Sequence, residues 1–168
     1  MKLFLWNCQG LSSPWTVRSL SKLVKLHRPG LVFLSETKCK SRRGDRFKEK
    51  LNYHGFGVDS LGKGGGLYLL WRKDVEVWLQ SFSINHIDVT VKSEECPERW
   101  RFTSFYGNSA IAKRKHSWNL LRRLARASVR PWLCGGDFNE ILGSHEKQGI
   151  LPSGSMADRG FSGMFEIL

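Results

Sequence analysis

The sequence has little that could staple it together or hold it in a bilayer. Its four cysteines, Cys8, Cys39, Cys96 and Cys134, form no close pair, no CxxC and no zinc-ligand spacing with the histidines. Neither a disulfide framework nor a structural zinc site is signalled. Isolated thiols in a chain of ordinary domain size fit a reducing, intracellular compartment. Long apolar runs are missing too: no window approaches the ~20 residues of a membrane-spanning helix, so no membrane partner is expected. At the start, "MKLFLWNCQG" is cut off by Asn7 and Gln9 and no small-residue cleavage site follows. It reads as a first strand rather than a signal peptide. There is no low-complexity segment or repeat, so one domain over residues 1–168 is expected. Acid is scarce: 15 Asp and Glu stand against 27 Lys and Arg, a formal charge of +12. That field attracts polyanions such as nucleic acid, or anionic surfaces.

What is present suffices for a core, at 40% hydrophobic and 12% aromatic residues. Lys2 to Cys8 is an apolar run. After Pro14, "WTVRSLSKLVKLH" places Trp15, Leu20, Leu23, Val24 and Leu26 largely at helical spacing with basic residues between them. "RPG" turns the chain into "LVFLSETK", whose continuous apolar stretch suits a strand covered on both faces. "SRRGDRFKEKL" predicts a short basic helix, and "YHGFGVDSLGKGGG" a glycine-rich loop leading to "LYLLWR". "VEVWLQSFS", "HIDVTVK" and "RWRFTSFYG" alternate and predict an antiparallel meander. "RKHSWNLLRRLARA" predicts a helix with Trp118, Leu121, Leu124 and Ala125 on its apolar stripe. It returns the chain to "PWLCGGDFNE", and "MADRGFSGMFEIL" predicts a last helix. Six tryptophans, at positions 15, 71, 78, 100, 118 and 132, lie in predicted elements and are expected to be mostly core.

Four of these apolar runs end in a polar group: Asn7 after "LFLW", Glu36 after "LVFLS", Tyr106 after "FTSF", and Asp137 with Asn139 after "PWLCGG". Strands whose C-terminal ends share a rim would converge these side chains on one cleft. Two carboxylates, two amides and a phenol suit Mg²⁺ and a phosphate. Each also has an ordinary role available, as a strand-end acid, a turn asparagine or a half-buried sheet aromatic. Other motifs fail on inspection. "GKGGGL" precedes a strand, whereas a phosphate loop precedes a helix; "HEKQG" has Gly149 where a zinc protease needs histidine; "DFNEILG" breaks the calcium-loop spacing.

In order and approximate spacing, "WNCQG", "LVFLSETK", "FYG" and "GGDFNEI" resemble the endonuclease/exonuclease/phosphatase family. "SSPWTVRSLSKLVKLHRPGLVFLSETK" and "GDFNEILGSHEKQG" look most like the endonuclease domain of plant LINE-type (non-LTR) retrotransposons. The resemblance implies an α+β fold, a two-layer β-sandwich flanked by helices of the DNase I kind. It implies a Mg²⁺-dependent DNA endonuclease, with Mn²⁺ as a substitute, that nicks the target at which a reverse transcriptase primes. DNA is then the partner and the nucleus the place of action. By the same resemblance Glu36 and Asn7 hold the metal, Tyr106 contacts the scissile phosphate, Asp137 activates or orients water, and Asn139 stabilises charge at the phosphate. Arg42, Arg43, Arg122, Arg123 and Arg126 either track a DNA backbone or are ordinary solvated helix faces.

The sequence departs from the family in two places. Gln9 stands where repair enzymes carry an acid, and the closing Asp-His pair of an "SDH" motif is found nowhere. His27, His54, His86, His116 and His145 lie in no matching context. The expectation is therefore a domain incomplete at its C-terminus, lacking its final strands. Loss of one member of a catalytic unit costs about 10²–10⁴-fold in rate, so weak or absent activity is expected. The alternatives are a non-catalytic nucleic-acid-binding remnant or a non-functional fragment.

Overall fold

A computed structural model describes residues 1–62 and 64–139, and the backbone of 162–166. In chain order the elements are β1 (Lys2–Asn7), α1 (Pro14–His27), β2 (Leu31–Ser35), α2 (Ser41–Leu51), β3 (Tyr53–Val58), β4 (Leu67–Arg72), β5 (Glu76–Ser83), β6 (His86–Lys92) and β7 (Trp100–Tyr106), then a 3-10 turn (Ile111–Lys113), α3 (Arg114–Ala125), β8 (Trp132–Asp137) and β9 (Ser162–Glu166). They build two mixed sheets, one ordered β3-β4-β2-β1-β9 and the other β5-β6-β7-β8.

Successive side chains alternate between the two faces of each strand, and this decides how the sheets stack. Leu3, Leu5, Leu31, Phe33, Leu67 and Leu69 of the first sheet meet Ile87, Val89, Val91 and Phe102 of the second in one core. Each such side chain contributes about 1.5–3 kcal/mol on leaving water. The opposite face of the first sheet, Phe4, Val32, Leu34, Tyr68 and Leu70, is covered by Leu20 and Val24 of α1 and Phe47 of α2. Outside the second sheet, α3 is tied down by Arg101, whose Nη1 donates to the Leu124 carbonyl. Parallel neighbours need a crossover, and here each crossover is a helix: α1 joins β1 to β2, and α3 joins β7 to β8.

Several sequence expectations are corrected. "YHGFGV" is strand β3, not loop. Gly55 and Gly57 leave room for the Tyr68 ring, which a Cβ at either position would approach to 2.8 and 2.6 Å. The residues before 162 of the expected last helix lie outside the described residues, but Ser162–Glu166 is a strand, antiparallel to β1. Trp15 and Leu26 are 70% and 69% exposed, because α1 buries a narrower stripe of Thr16, Leu20, Ser21 and Val24. Ala125 is exposed, while Ser117 and Leu124 are the buried residues of α3. Of the six tryptophans expected in the core, only Trp100 is buried.

Candidate functional site

The parallel pairs fix where the strands end. Asn7 is in register with Ser35, and Tyr106 with Asp137, so the C-terminal ends of β1, β2, β7 and β8 share one rim of the sandwich. Gly135 lets the two sheets approach there, since a Cβ on it would come within 2.8 Å of the Leu5 side chain. Side chains of Asn7 and Tyr106 continue the inward-facing sets of their strands. Asp137 does the same on β8, so the three point into the gap between the sheets.

One amide joins the two acids. Asn7 Nδ2 donates to Glu36 Oε1 at 3.1 Å and to Asp137 Oδ2 at 2.8 Å. The Tyr106 hydroxyl donates to the same Glu36 Oε1 at 2.8 Å. Asp137 Oδ1 accepts the Asn139 backbone N–H at 2.9 Å, and Asn139 Nδ2 donates to the Gly107 carbonyl at 2.8 Å. The Gly107 N–H in turn donates to the Asp137 carbonyl at 2.8 Å, which locks the ends of β7 and β8 together. All five polar residues singled out at strand ends are thus within one connected network.

Backbone strain concentrates at the same place. Among the described residues, Gln9, Glu36, Lys38 and Asn139 have left-handed backbones, with φ of 46°, 51°, 51° and 51°. The remaining non-glycine cases, Arg28 and Asn52, are helix C-caps, where this conformation is routine. Left-handed φ costs of order 1–3 kcal/mol at an ordinary residue and persists where the surroundings impose it. Here they do: the flanking loop is pinned by Thr37 N–H to the Gly66 carbonyl and Lys38 N–H to the Gly65 carbonyl.

Burial, and then the hydrogen bond to Glu36, push the Tyr106 phenol well above its ordinary pKa. It is therefore a proton donor throughout the physiological range. Lys38 Nζ stands 3.5 Å from Glu36 Oε2, a cation the sequence reading had not singled out although it lies two residues along in "ETK". Asn85 was also missed. From the β5–β6 turn its carbonyl accepts the Tyr106 N–H at 2.7 Å, and its Nδ2 donates to the Tyr106 carbonyl at 2.7 Å. No short-range signal marks it, because the partner is 21 residues away.

Arg42 and Arg43 are exposed in the first turn of α2, just beyond the Glu36 loop. Arg122 and Arg123 are exposed in the last turn of α3, and Arg122 donates to Asn119. The network of five does not include any of the four. Among the described residues no group of three or more His, Cys, Asp or Glu side chains could enclose a metal. The oxygen donors present still fit Mg²⁺, which is held by one or two carboxylates, keeps several waters and takes substrate phosphate as a ligand.

The sequence profile of the Endonuclease/Exonuclease/phosphatase family matches residues 4–166. The chain belongs to that family. No curated protein matches it in sequence. Solved members of similar fold include D. rerio TDP2 humanized by 14 mutations, at 17% identity and a TM-score of 0.66, covering 92% of this chain and 72% of that one. The human Nocturnin catalytic domain with bound sulfate gives 14%, 0.57, 83% and 65%. The 3′ phosphatase NExo from Neisseria, bound to a product DNA hairpin, gives 14%, 0.60, 83% and 58%. At these identities the likeness is one of fold: two mixed sheets with few helices, as in DNase I-like enzymes. The family member described here spans 58% to 72% of the length of these three.

Proposed function

We propose that this chain is a metal-dependent phosphodiesterase acting on DNA, with Glu36, Asp137, Asn7, Tyr106 and Asn139 as its working residues. The observation that carries the reading is the pair of carboxylates bridged by one Asn7 amide group, with a protonated phenol on the same glutamate. Glu36, with Asn7 beside it, would hold Mg²⁺ or Mn²⁺, which when bound acts as a Lewis acid on a phosphoryl oxygen. Asp137 orients the attacking water and accepts its proton. On substrate binding the Tyr106 hydroxyl and an Asn7 N–H turn from the carboxylates to the phosphate and donate toward charge that grows there, and Lys38 adds a positive field. Asn139 acts mainly by position: its backbone N–H holds Asp137 and its side-chain amide is turned onto the Gly107 carbonyl.

DNA as substrate is supported by the charge of +12 and by the exposed arginines of α2 and α3. The stretches around the motifs support a plant LINE-type lineage, in which the nick provides the primer end for a reverse transcriptase and the work is nuclear. A second reading, binding without catalysis, draws on the same charge and exposed arginines. Among the described histidines, His86 is held by Ser81 and Ser83. His145 lies outside the described residues.

The test is nicking of supercoiled plasmid in Mg²⁺ against EDTA, with Glu36→Gln and Asp137→Asn beside the wild type. Metal-dependent nicking reduced about 10²–10⁴-fold in both variants is the expected result. A folded wild-type protein that retards DNA in a salt-dependent way but never nicks it would replace this reading with the second.

A further inference from the structure

The registers that gather the site also gather loops around it. Ser35 pairs with Leu67, so the β3–β4 connection lies at the end of β2 that carries Glu36. His86 pairs with Phe105, so the β5–β6 turn lies at the end of β7 that carries Tyr106. The start of α1 follows β1 there, and the 3-10 turn follows β7. Each of these four connections exposes one large apolar side chain: Trp15 at 70%, Leu61 at 67%, Ile84 at 51% and Ile111 at 78%. Exposed cations lie on the same rim, Lys40, Arg42 and Arg43 where β2 passes into α2, and Lys113 and Lys115 two and four residues after Ile111.

Exposed apolar residues are ordinary when scattered. Other large apolar side chains, such as Leu26 and Val129, are exposed away from the site, but these four stand on four separate connections at one rim, and none joins either core cluster. We propose that this ring is a nucleobase-gripping rim that selects DNA whose bases are unpaired or unstacked next to the cleaved phosphate. The inference rests on the phosphodiesterase reading of the site and names its substrate class. In a paired duplex the bases are stacked and offer no apolar face to a side chain approaching from the backbone. In a single strand every base offers a π face, on which an indole stacks while neighbouring cations follow the phosphates. The apolar groups stand singly on four separate connections, which suits insertion between bases. A lipid surface asks for a contiguous apolar patch.

The experiment measures binding in EDTA, so that it stands apart from nicking. A fluorescent single strand of ~12 nucleotides and the blunt duplex of the same length are titrated with the full chain at low and high salt. Phosphate contacts weaken with salt and stacking does not, so the preference for the single strand is expected to widen as salt rises. Trp15→Ala is expected to weaken single-strand binding roughly 5- to 150-fold and leave duplex binding unchanged. Ile111→Ser and Ile84→Ser are expected to show smaller losses, and Leu26→Ser, exposed at the far end of α1, none. Equal affinity for the two DNA forms at high salt would overturn the proposal, as would a Trp15→Ala protein that binds single strands normally. Loss of binding to phosphatidylcholine–phosphatidylserine vesicles in these variants, with DNA binding intact, would overturn it in favour of a lipid surface. Single-strand selectivity in a protein that never nicks would leave the rim standing and remove the catalytic reading alone.

Discussion

Breaking the buried ion pair beneath α3 should destabilise the fold more than any surface change. Arg101 and Asp88 have side chains only 4% and 3% exposed. The guanidinium donates from Nε to both Asp88 oxygens at 2.9 and 3.0 Å and from Nη2 at 2.9 Å, and Thr103 donates to Oδ1 at 2.6 Å. Trp132 Nε1 donates in turn to Thr103 at 2.8 Å, which extends the network from β6 through β7 to β8. Arg101→Met leaves a carboxylate with one remaining donor in the interior, and Asp88→Leu leaves a guanidinium without its main acceptor. Either single change is expected to cost about 3–5 kcal/mol, because the surviving charge stays buried. For a domain of this size that is a fall in Tm of about 6–20 °C. The double variant Asp88→Leu/Arg101→Met removes both charges and is expected to recover at least half of the loss. It should not recover all, since the Leu124 carbonyl loses its donor. Circular dichroism melts and urea titrations of the three variants and wild type provide the measurement. Single variants within about 1 kcal/mol of wild type, or a double variant no better than either single, would refute the reasoning.

Asn85→Ala removes the side-chain donor to the Tyr106 carbonyl and is expected to cost about 1–3 kcal/mol, read from the urea midpoint; an unchanged midpoint would show that the carbonyl finds another donor. Burial holds the His86 imidazole below its ordinary pKa, so the folded state prefers it neutral. Its contribution to stability is fully present above the ordinary value of about 6.5 and is lost as pH falls through the lowered one. Tm should therefore drop between pH 7 and pH 5, and less steeply in His86→Gln. Burial pushes the thiols of Cys8 and Cys134 up to about 11 and about 12. Iodoacetamide at pH 8 should spare both in the native protein, as mass spectrometry of the labelled chain would report, and modify them once urea unfolds it.

The residues of the candidate site were more legible in the sequence than parts of the fold around them. Asn7, Glu36, Tyr106 and Asp137 stand out because a strand-like run rich in apolar residues that closes on a polar side chain is a local pattern, visible in a few letters. Strand β3 was misread because its glycines look like loop chemistry until the Tyr68 ring of the next strand is known to lie across them. "SGMFE" was misread because so short a segment fits either period, and a free edge on β1, more than 150 positions earlier, settles it. Trp15 went to the core by its hydropathy, whereas the buried stripe of α1 passes to one side of it. Asn85 and the Arg101 network depend on pairings across the second sheet that no window of sequence contains.

The division of the site between two sheets also bears on how the protein comes to life. Asn7 and Glu36 end strands of the first sheet, and Tyr106 and Asp137 end strands of the second. Hydrogen bonds within each sheet set its own register, yet neither half alone holds both acids. The Asn7 bridge to Asp137 closes only when the two sheets dock face to face. During refolding, then, strand signal should return before any competence that depends on both carboxylates, and the interval between the two would time the docking of the layers.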